Sequence, residues 1–253
     1  MKAIARSIVV AAACIFIAGL ALADTTTTGS ATVQPNADIY ASGNQISDIN
    51  VSGGTLPGSI DVTGSTYLTF GVSGSITING GGNFNNADGV GAAPSSSYSS
   101  GAGSISGITA PGGGYLVGVF IEGNGPSGPP PTALDYTAAG AESQTSYSPL
   151  LDQVFFIGDG LTGNGTGSTQ TFYVPTGATA LYLGISDACN YSGSPSCYGD
   201  NNSGSFAVNY SDVTVGSTNP PPSATPEPSS LALLGTGILG AAGAVRRRLR
   251  ASR

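Results

Sequence analysis

The chain has 253 residues, a formal net charge of −7, and neither histidine nor tryptophan. The absence of an imidazole excludes histidine-assisted serine and cysteine nucleophiles and removes the commonest zinc ligand. From Asp24 to Thr225 there are eleven Asp and two Glu but no Lys or Arg. We therefore predict no nucleic-acid binding, which depends on basic residues that neutralise phosphates.

This acidic composition leaves two interpretations open. Carboxylate and carbonyl oxygens are the ligands that hard cations such as calcium take, whereas acids also serve simply to keep an exported chain soluble. A hydrolase that uses a carboxylate pair is compatible with the composition, but no pair stands out among the thirteen acids. Because the sequence also lacks a nucleophile elbow, we predict that the protein is not an enzyme.

Residues 1–23 have the pattern of a secretory signal peptide. A basic start precedes an apolar run that begins at Ile8, and the run ends in Ala-Leu-Ala before the polar stretch DTTTTGS. This pattern predicts cleavage by signal peptidase between Ala23 and Asp24. The alternative is a first transmembrane anchor, which the small residues at the end of the run disfavour.

The body of the chain, from residue 32 to residue 215, has the pattern of β-strands separated by Gly, Pro, Asn and Ser clusters. Apolar alternation or a short apolar run predicts strands at eight places: Thr66–Val72, Ser75–Ile78, Tyr115–Ile121, Val154–Ile157, Gln170–Val174, Leu181–Ile185, Ser205–Tyr210 and Val213–Val215. Many short strands without an amphipathic helix predict an all-β sandwich or barrel in one domain, residues 24–216. The Gly/Ser-rich stretches Asn79–Gly107 and Gly123–Thr132 are predicted to be long loops.

Cys189 and Cys197 are the two cysteines that remain once the signal peptide is removed. An exported chain meets oxidising conditions, so we predict that they form a disulfide. Two free thiols are the alternative. The bridge closes part of the loop between Asp187 and Tyr198.

Oxygen-bearing side chains gather around this loop. Asp187 ends one predicted strand, and Asp200-Asn201-Asn202 precede another. If the two strands are adjacent, these side chains meet, and carboxylate and amide oxygens together with carbonyls suit calcium better than magnesium. Asp and Asn are also the natural residues of turns, so the spacing alone leaves a structural interpretation open.

The stretch Leu150–Val208 resembles the calcium-dependent PA-I galactophilic lectin family. The matching segments are FFIGDGLTGNGTG, TFYVPTGATALYLGISD and YGDNNSGSFAV. The resemblance implies a jelly-roll-like β-sandwich of the galactose-binding-domain kind. It also implies calcium on loops at one end of the sandwich, with the ion itself binding the sugar hydroxyls.

Carried over by position, the resemblance implies a set of calcium ligands. Asp187 is then a carboxylate ligand, and Asn201 and Asn202 supply side-chain oxygens. Tyr198 supplies its backbone carbonyl. Asp200 stands where the family has glycine, so a shift of one residue makes it the ligand in place of Asn201.

The chain also departs from that family. A further carbonyl ligand is expected from the loop after Ser75–Ile78, with no single residue indicated. The loop Ala188–Cys197 is longer than its counterpart and is closed by the cysteines. The family's sugar-contacting histidine has no counterpart here. The resemblance therefore supports calcium binding better than it supports galactose binding.

The C-terminal segment predicts a membrane anchor. Ser217–Pro228 is a Pro-rich linker, and Ser229–Val245 is a run of seventeen apolar or small residues. As a helix this run is ~25 Å long, slightly short of a ~30 Å hydrocarbon core. The basic tail, residues 246–253, follows with Arg246, Arg247, Arg248 and Arg250. Arginines beside a short span stay cytoplasmic, which places the acidic body outside.

Pro226-Glu227-Pro228, the short span and the arginines resemble the PEP-CTERM sorting signal of Gram-negative bacteria. The resemblance implies processing by an exosortase and an exported protein that is held transiently in the inner membrane, in an organism that makes extracellular polysaccharide. A plain single-span anchor is the alternative. We therefore predict a calcium-binding cell-surface or extracellular protein that binds carbohydrate or belongs to the polysaccharide matrix. The alternative is a purely structural surface protein with a calcium-stabilised fold.

Overall fold

The computed structural model describes residues 23–43, 53–78, 80, 84–91, 94–199, 202–216 and 247. The chain divides into two units, and the unit Asp24–Val215 contains all of the strands given below. The other unit comprises residues 1–23 and 216–253. The predicted signal peptide, linker, transmembrane helix and basic tail therefore lie outside the described residues, apart from Ala23 and Arg247. Within the described residues, no helix is long and apolar enough to cross a membrane.

The described body is built almost entirely from short strands. They are β1 (Thr25–Val33), β2 (Gly58–Asp61), β3 (Tyr67–Thr77), β4 (Ser97–Ala102), β5 (Ile105–Ala110), β6 (Leu116–Ile121), β7 (Leu134–Asp135), β8 (Ser146–Tyr147), β9 (Val154–Phe156), β10 (Leu161–Gly163), β11 (Thr166–Thr169), β12 (Thr171–Tyr173), β13 (Ala180–Ile185), β14 (Ser192–Gly193) and β15 (Ser203–Thr214). Two single-turn 3-10 helices, Ile39–Ala41 and Cys189–Tyr191, lie between strands.

The strands form three sheets and one separate hairpin. The five-stranded sheet has the order β1-β15-β3-β12-β8, and its long strands β1, β15 and β3 are antiparallel. A central sheet has the order β2-β13-β6-β9 and is antiparallel throughout. A third sheet has the order β14-β4-β5-β7, and β10 pairs only with β11.

The first hydrophobic core lies between the five-stranded sheet and the central sheet. Phe172 and Phe206 come from the former, and Phe120 and Phe155 from the latter. The ring of Phe155 stacks on Phe120 at a centroid distance of 5.2 Å and lies 5.6 Å from Phe172. The aromatic contact across the layers makes these two sheets a β-sandwich.

A second core lies on the other face of the central sheet. Along β6, Leu116 and Phe120 belong to the first core, whereas Val117, Val119 and Ile121 pack with residues of β5 in the second. The third sheet therefore covers the central one. A strand buried on both faces has no polar side, which is why β6 reads as a continuous apolar run in the sequence.

The all-β prediction is confirmed, and each predicted strand overlaps an observed one. Thr66–Val72 and Ser75–Ile78 are nevertheless one strand, β3, because the Gly and Ser residues between them interrupt the apolar pattern and not the ladder. Ser205–Tyr210 and Val213–Val215 likewise belong to β15. The polar strand β1 was not predicted, because as an edge strand it buries little besides Val33.

The predicted loop Asn79–Gly107 is wrong from Ser97 onwards, where β4 and the start of β5 form a hairpin. Its glycines serve close packing here. A side chain added at Gly107 would collide with the carbonyl oxygen of Ser99 on the opposite strand. The Gly/Ser-rich composition of this stretch therefore belongs to a closely paired hairpin that covers the second core.

Candidate functional site

The segment after β13 folds back on itself and is closed by a disulfide. Cys189 and Cys197 are bonded, with their Cα atoms 5.3 Å apart, which confirms the prediction. Ala188 forms an isolated β-bridge with Pro195, and the Ser196 amide donates to the Asp187 carbonyl at 3.3 Å. The closed loop thus begins and ends beside Asp187.

We expect removal of this disulfide to lower the free energy of unfolding by ~2.5 kcal/mol, because the loop it closes is short and the chain-entropy gain is correspondingly small. Urea unfolding of the double variant Cys189→Ser/Cys197→Ser measures the loss. Dithiothreitol should lower the stability of the wild type to that of the variant and leave the variant unchanged. Equal stability of oxidised wild type and variant would contradict the prediction.

Asp187 and Asn202 meet, but not in the way that the sequence suggested. Their strands are not neighbours in one sheet: β13 belongs to the central sheet and β15 to the five-stranded sheet. The two residues lie at the same end of the sandwich, where the Asn202 amide nitrogen donates to Asp187 Oδ2 at 3.1 Å. The same nitrogen donates to the Pro35 carbonyl at 3.1 Å.

The Pro35 carbonyl is a contributor that sequence reasoning missed. It belongs to the turn after β1, whereas the resemblance pointed to the loop after Ser75–Ile78. That loop does leave the sheet nearby, because Thr77 at the end of β3 pairs with Ser203. Residues 79 and 81–83, which follow directly, lie outside the described residues. Two oxygens, from Asp187 and Pro35, therefore converge on the amide group of Asn202.

Tyr198 uses its side chain to hold Asp187. Its hydroxyl accepts a hydrogen bond from the Asp187 amide at 3.0 Å and donates to the Ile185 carbonyl at 3.1 Å. The ring is fully buried, and this burial raises the pKa of Tyr198 well above its ordinary value. The predicted role of the Tyr198 carbonyl stays a prediction, and the side chain anchors the strand end from the interior.

Asp38 is a second acid at this end that sequence reasoning missed. It forms an isolated parallel bridge with Ile185, and its side chain has no exposure to solvent. Its Oδ1 accepts from the Tyr40 amide at 2.9 Å, whereas its Oδ2 has no hydrogen-bond partner within the described residues. Burial raises the pKa of Asp38 to about 6, although the hydrogen bond from Tyr40 opposes the rise.

Asp200 and Asn201 lie outside the described residues, so the register between them stays a prediction. The described ranges contain no group of three or more His, Cys, Asp or Glu side chains that could hold a metal ion. Among the described residues, the candidate site thus consists of the Asp187 carboxylate, the Asn202 side-chain amide and the Pro35 carbonyl.

Comparison with known proteins identifies the C-terminal segment. Residues 224–248 match the model of the PEP-CTERM protein-sorting motif. The chain carries a PEP-CTERM motif. Searches of curated proteins and of solved structures give no match.

The PEP-CTERM match confirms the predicted sorting signal. It spans Pro226, Glu227 and Pro228 together with Arg246, Arg247 and Arg248, and it ends two residues before Arg250. The motif implies an exported protein that is anchored transiently in the membrane and processed by an exosortase. The lectin resemblance rests on its quoted segments alone, because no relative or structure accompanies it.

Proposed function

We propose that this exported protein binds calcium at the Asp187–Asn202 end of its β-sandwich and uses the ion to bind carbohydrate of an extracellular polysaccharide matrix. The function is binding and not catalysis. Asp187 and Asn202 supply side-chain oxygens and Pro35 a carbonyl. Tyr198 and either Asp200 or Asn201 complete the set that the lectin resemblance implies.

The observation that carries this proposal is the arrangement around the Asn202 amide. The nitrogen faces two oxygens, and the amide oxygen Oδ1 is buried without a hydrogen-bond partner among the described residues. Rotating the amide by half a turn brings three oxygens together at one point. That arrangement is unfavourable in the absence of a cation and suits a hard cation well.

The charge balance of the body supports the same conclusion. Asp38 and Asp187 are both buried, and no Lys, Arg or His occurs between residues 24 and 225 to neutralise them. A buried carboxylate is costly unless hydrogen bonds or a positive charge offset its desolvation. A bound divalent cation supplies the positive charge that residues 24–225 lack.

The test is thermal unfolding of residues 24–216 in calcium, in magnesium and in EDTA. A site filled at a hundred times its dissociation constant stabilises by ~2.7 kcal/mol, which corresponds to a melting temperature about 5–10 °C higher for a chain of this size. Magnesium should have a much smaller effect. Asp187→Asn should abolish the calcium shift, and Asp135→Asn, the same change at an exposed acid, should keep it. A full calcium shift in Asp187→Asn would show that the ion binds elsewhere.

A second function, a purely structural calcium site, is favoured by one observation. Asp187 is only 4% exposed, so an ion held there has little open surface for sugar hydroxyls. A glycan array probed in millimolar calcium separates the two functions. Binding that EDTA and Asp187→Asn both abolish supports the carbohydrate function, and a blank array alongside a normal calcium isotherm supports the structural one.

A further inference from the structure

A cavity that includes none of the proposed calcium ligands is lined by two carboxyl groups. Its volume is about 380 Å³, and Asp88 and Glu142 are its acidic residues. Several of its remaining walls are apolar: Val90, Pro94, Pro111, Phe156 and Leu161. A cavity of this size falls within the range of small-molecule sites, roughly 300–1,000 Å³.

Only one of the two carboxylate oxygens of Asp88 accepts a hydrogen bond within the described residues. Its Oδ1 accepts a hydrogen bond from the Asp159 amide at 2.8 Å. Gly158 permits this approach, because it has a φ of +59° and any side chain there would collide with Asp88 Oδ1. The other oxygen, Oδ2, is buried and has no hydrogen-bond partner among the described residues. Asp88 therefore keeps one acceptor unused.

Asp159 is close by but is not available to a ligand in the same way. Its Oδ1 accepts from the Leu161 amide at 2.8 Å, and its Oδ2 accepts from the Gly165 amide at 2.6 Å. Both oxygens thus serve the turn that leads into the β10–β11 hairpin. What Asp159 adds to the cavity is negative charge beside Asp88, whose pKa burial and this charge raise to about 6.

Glu142 is placed at the cavity by a buried side chain. The amide nitrogen of Gln170, which has no solvent exposure, donates to the carbonyls of Glu142 at 2.7 Å and Gln144 at 2.9 Å. These two bonds fix the segment that carries Glu142. Asp88 and Glu142 line the same cavity, and partial burial and the charge of Asp88 raise the pKa of Glu142 to about 7.

The body that the structure describes, residues 24–215, has no basic side chain to offer these acids. Every Lys and Arg lies before residue 7 or after residue 245, and there is no His. Two interacting carboxylates in a partly buried cavity are unfavourable without a counter-charge. The counter-charge must come from a proton or from a bound cation.

The cavity suits an organic cation better than a metal ion. The described residues include no cluster of three acidic, His or Cys side chains that could hold a metal. The volume is large for a single ion, its apolar walls offer a metal no ligands, and the remaining polar side chains that line it, Ser95, Ser143, Thr162 and Asn164, are neutral. An ammonium group, in contrast, donates three strong hydrogen bonds to carboxylates, and the carbon skeleton that carries it can lie against apolar walls.

We propose that this cavity binds the ammonium group of a small amine of about monosaccharide size, such as an amino sugar, between the carboxylates of Asp88 and Glu142. The site is separate from the calcium site and does not depend on it.

The experiment is calorimetric titration of the full chain in a neutral detergent at pH 7.5. Glucosamine should bind at least tenfold more tightly than glucose, its neutral counterpart. Asp88→Asn and Glu142→Gln should each weaken glucosamine binding at least tenfold, and Asp61→Asn, the same loss of charge at an exposed site on β2, should leave it unchanged. Asp187→Asn should also leave it unchanged, which separates this site from the calcium site.

Four results would overturn the proposal. One is equal affinity for glucosamine and glucose, and another is glucosamine binding that survives both Asp88→Asn and Glu142→Gln. The third is the absence of binding by both glucosamine and putrescine at millimolar concentration. The fourth is calcium binding that Glu142→Gln abolishes and Asp187→Asn preserves, because this result would show that the cavity binds a metal ion. If Asp88→Asn does not fold, Glu142→Gln still tests the proposal. The Glu142 carboxylate makes no hydrogen bond within the described residues, so this variant loses none of them.

Discussion

Raising the pH from 5 to 8 in EDTA is expected to lower the free energy of unfolding by on the order of 1 kcal/mol through Asp38 alone. The pKa of this buried carboxyl is about 6 in the folded protein, against an ordinary value of 3.8. Between these two values the folded state holds a proton that the unfolded chain has released. The stability that Asp38 contributes is therefore fully present below pH 3.8 and is lost as the pH rises through 6.

Other groups act in the same window. The pKa values of Asp88 and Glu142 are raised to about 6 and about 7, also mainly by burial. These side chains are partly exposed, so solvent screening reduces their contributions. Tyr40 and Tyr198 do not titrate between pH 5 and 8, because burial moves their pKa values further above the ordinary range.

Urea unfolding at pH 5 and pH 8 measures the effect. Asp38→Asn should remove the part of the pH dependence that comes from Asp38 and leave that of Asp88 and Glu142, because the amide keeps an oxygen for the Tyr40 amide and cannot ionise. Asp135→Asn is the matched control, since Asp135 is exposed and its hydrogen bonds to Thr137 hold its pKa below the usual range. An unchanged slope in Asp38→Asn would show that the buried charge is compensated in solution.

Phe155→Ala is expected to lower the free energy of unfolding by about 3–5 kcal/mol. Phe155 is fully buried and joins the two sheets of the sandwich, with Phe120 on one side and Phe172 on the other. Removing its ring deletes aromatic contacts and leaves a cavity that the stiff strands around it cannot close.

Phe84→Ala provides the control for this prediction, because it makes the same chemical change at a residue that is 44% exposed. Its effect should stay within about 0.5 kcal/mol. Urea unfolding of both variants at pH 5 separates the two. A loss below 1 kcal/mol in Phe155→Ala would contradict the packing of the five-stranded sheet on the central sheet.

Local sequence pattern predicted the strands that bury side chains and missed those that do not. The runs at β6 and β9 are apolar because the central sheet is covered on both faces. Strand β1 has no such pattern, since its pairing with β15 needs only backbone groups along an exposed edge. In β4 the small residues that looked like a loop are there because two strands approach closely.

The candidate site was predictable only where its residues are close in sequence. Asp187 and Asn202 flank one loop, so their meeting could be expected even though their strands belong to different sheets. Pro35 and Asp38 reach the same place from the other end of the chain, through a bridge to Ile185 that no local pattern marks. Asp88 and Glu142 come from two unrelated loops, and only the fold brings them to one cavity.

The first and last strands of the body pair with each other, Thr25 opposite Thr214 and Val33 opposite Phe206. Closing a loop that contains nearly the whole body costs entropy before any contact compensates for it, so this ladder forms late. A chain that crosses a membrane from its N-terminus delivers β15 last, and the five-stranded sheet can then be completed only on the far side. The sorting motif begins ten residues after β15 ends. Completion of the sheet and arrival of the motif at the membrane are therefore nearly simultaneous steps of export.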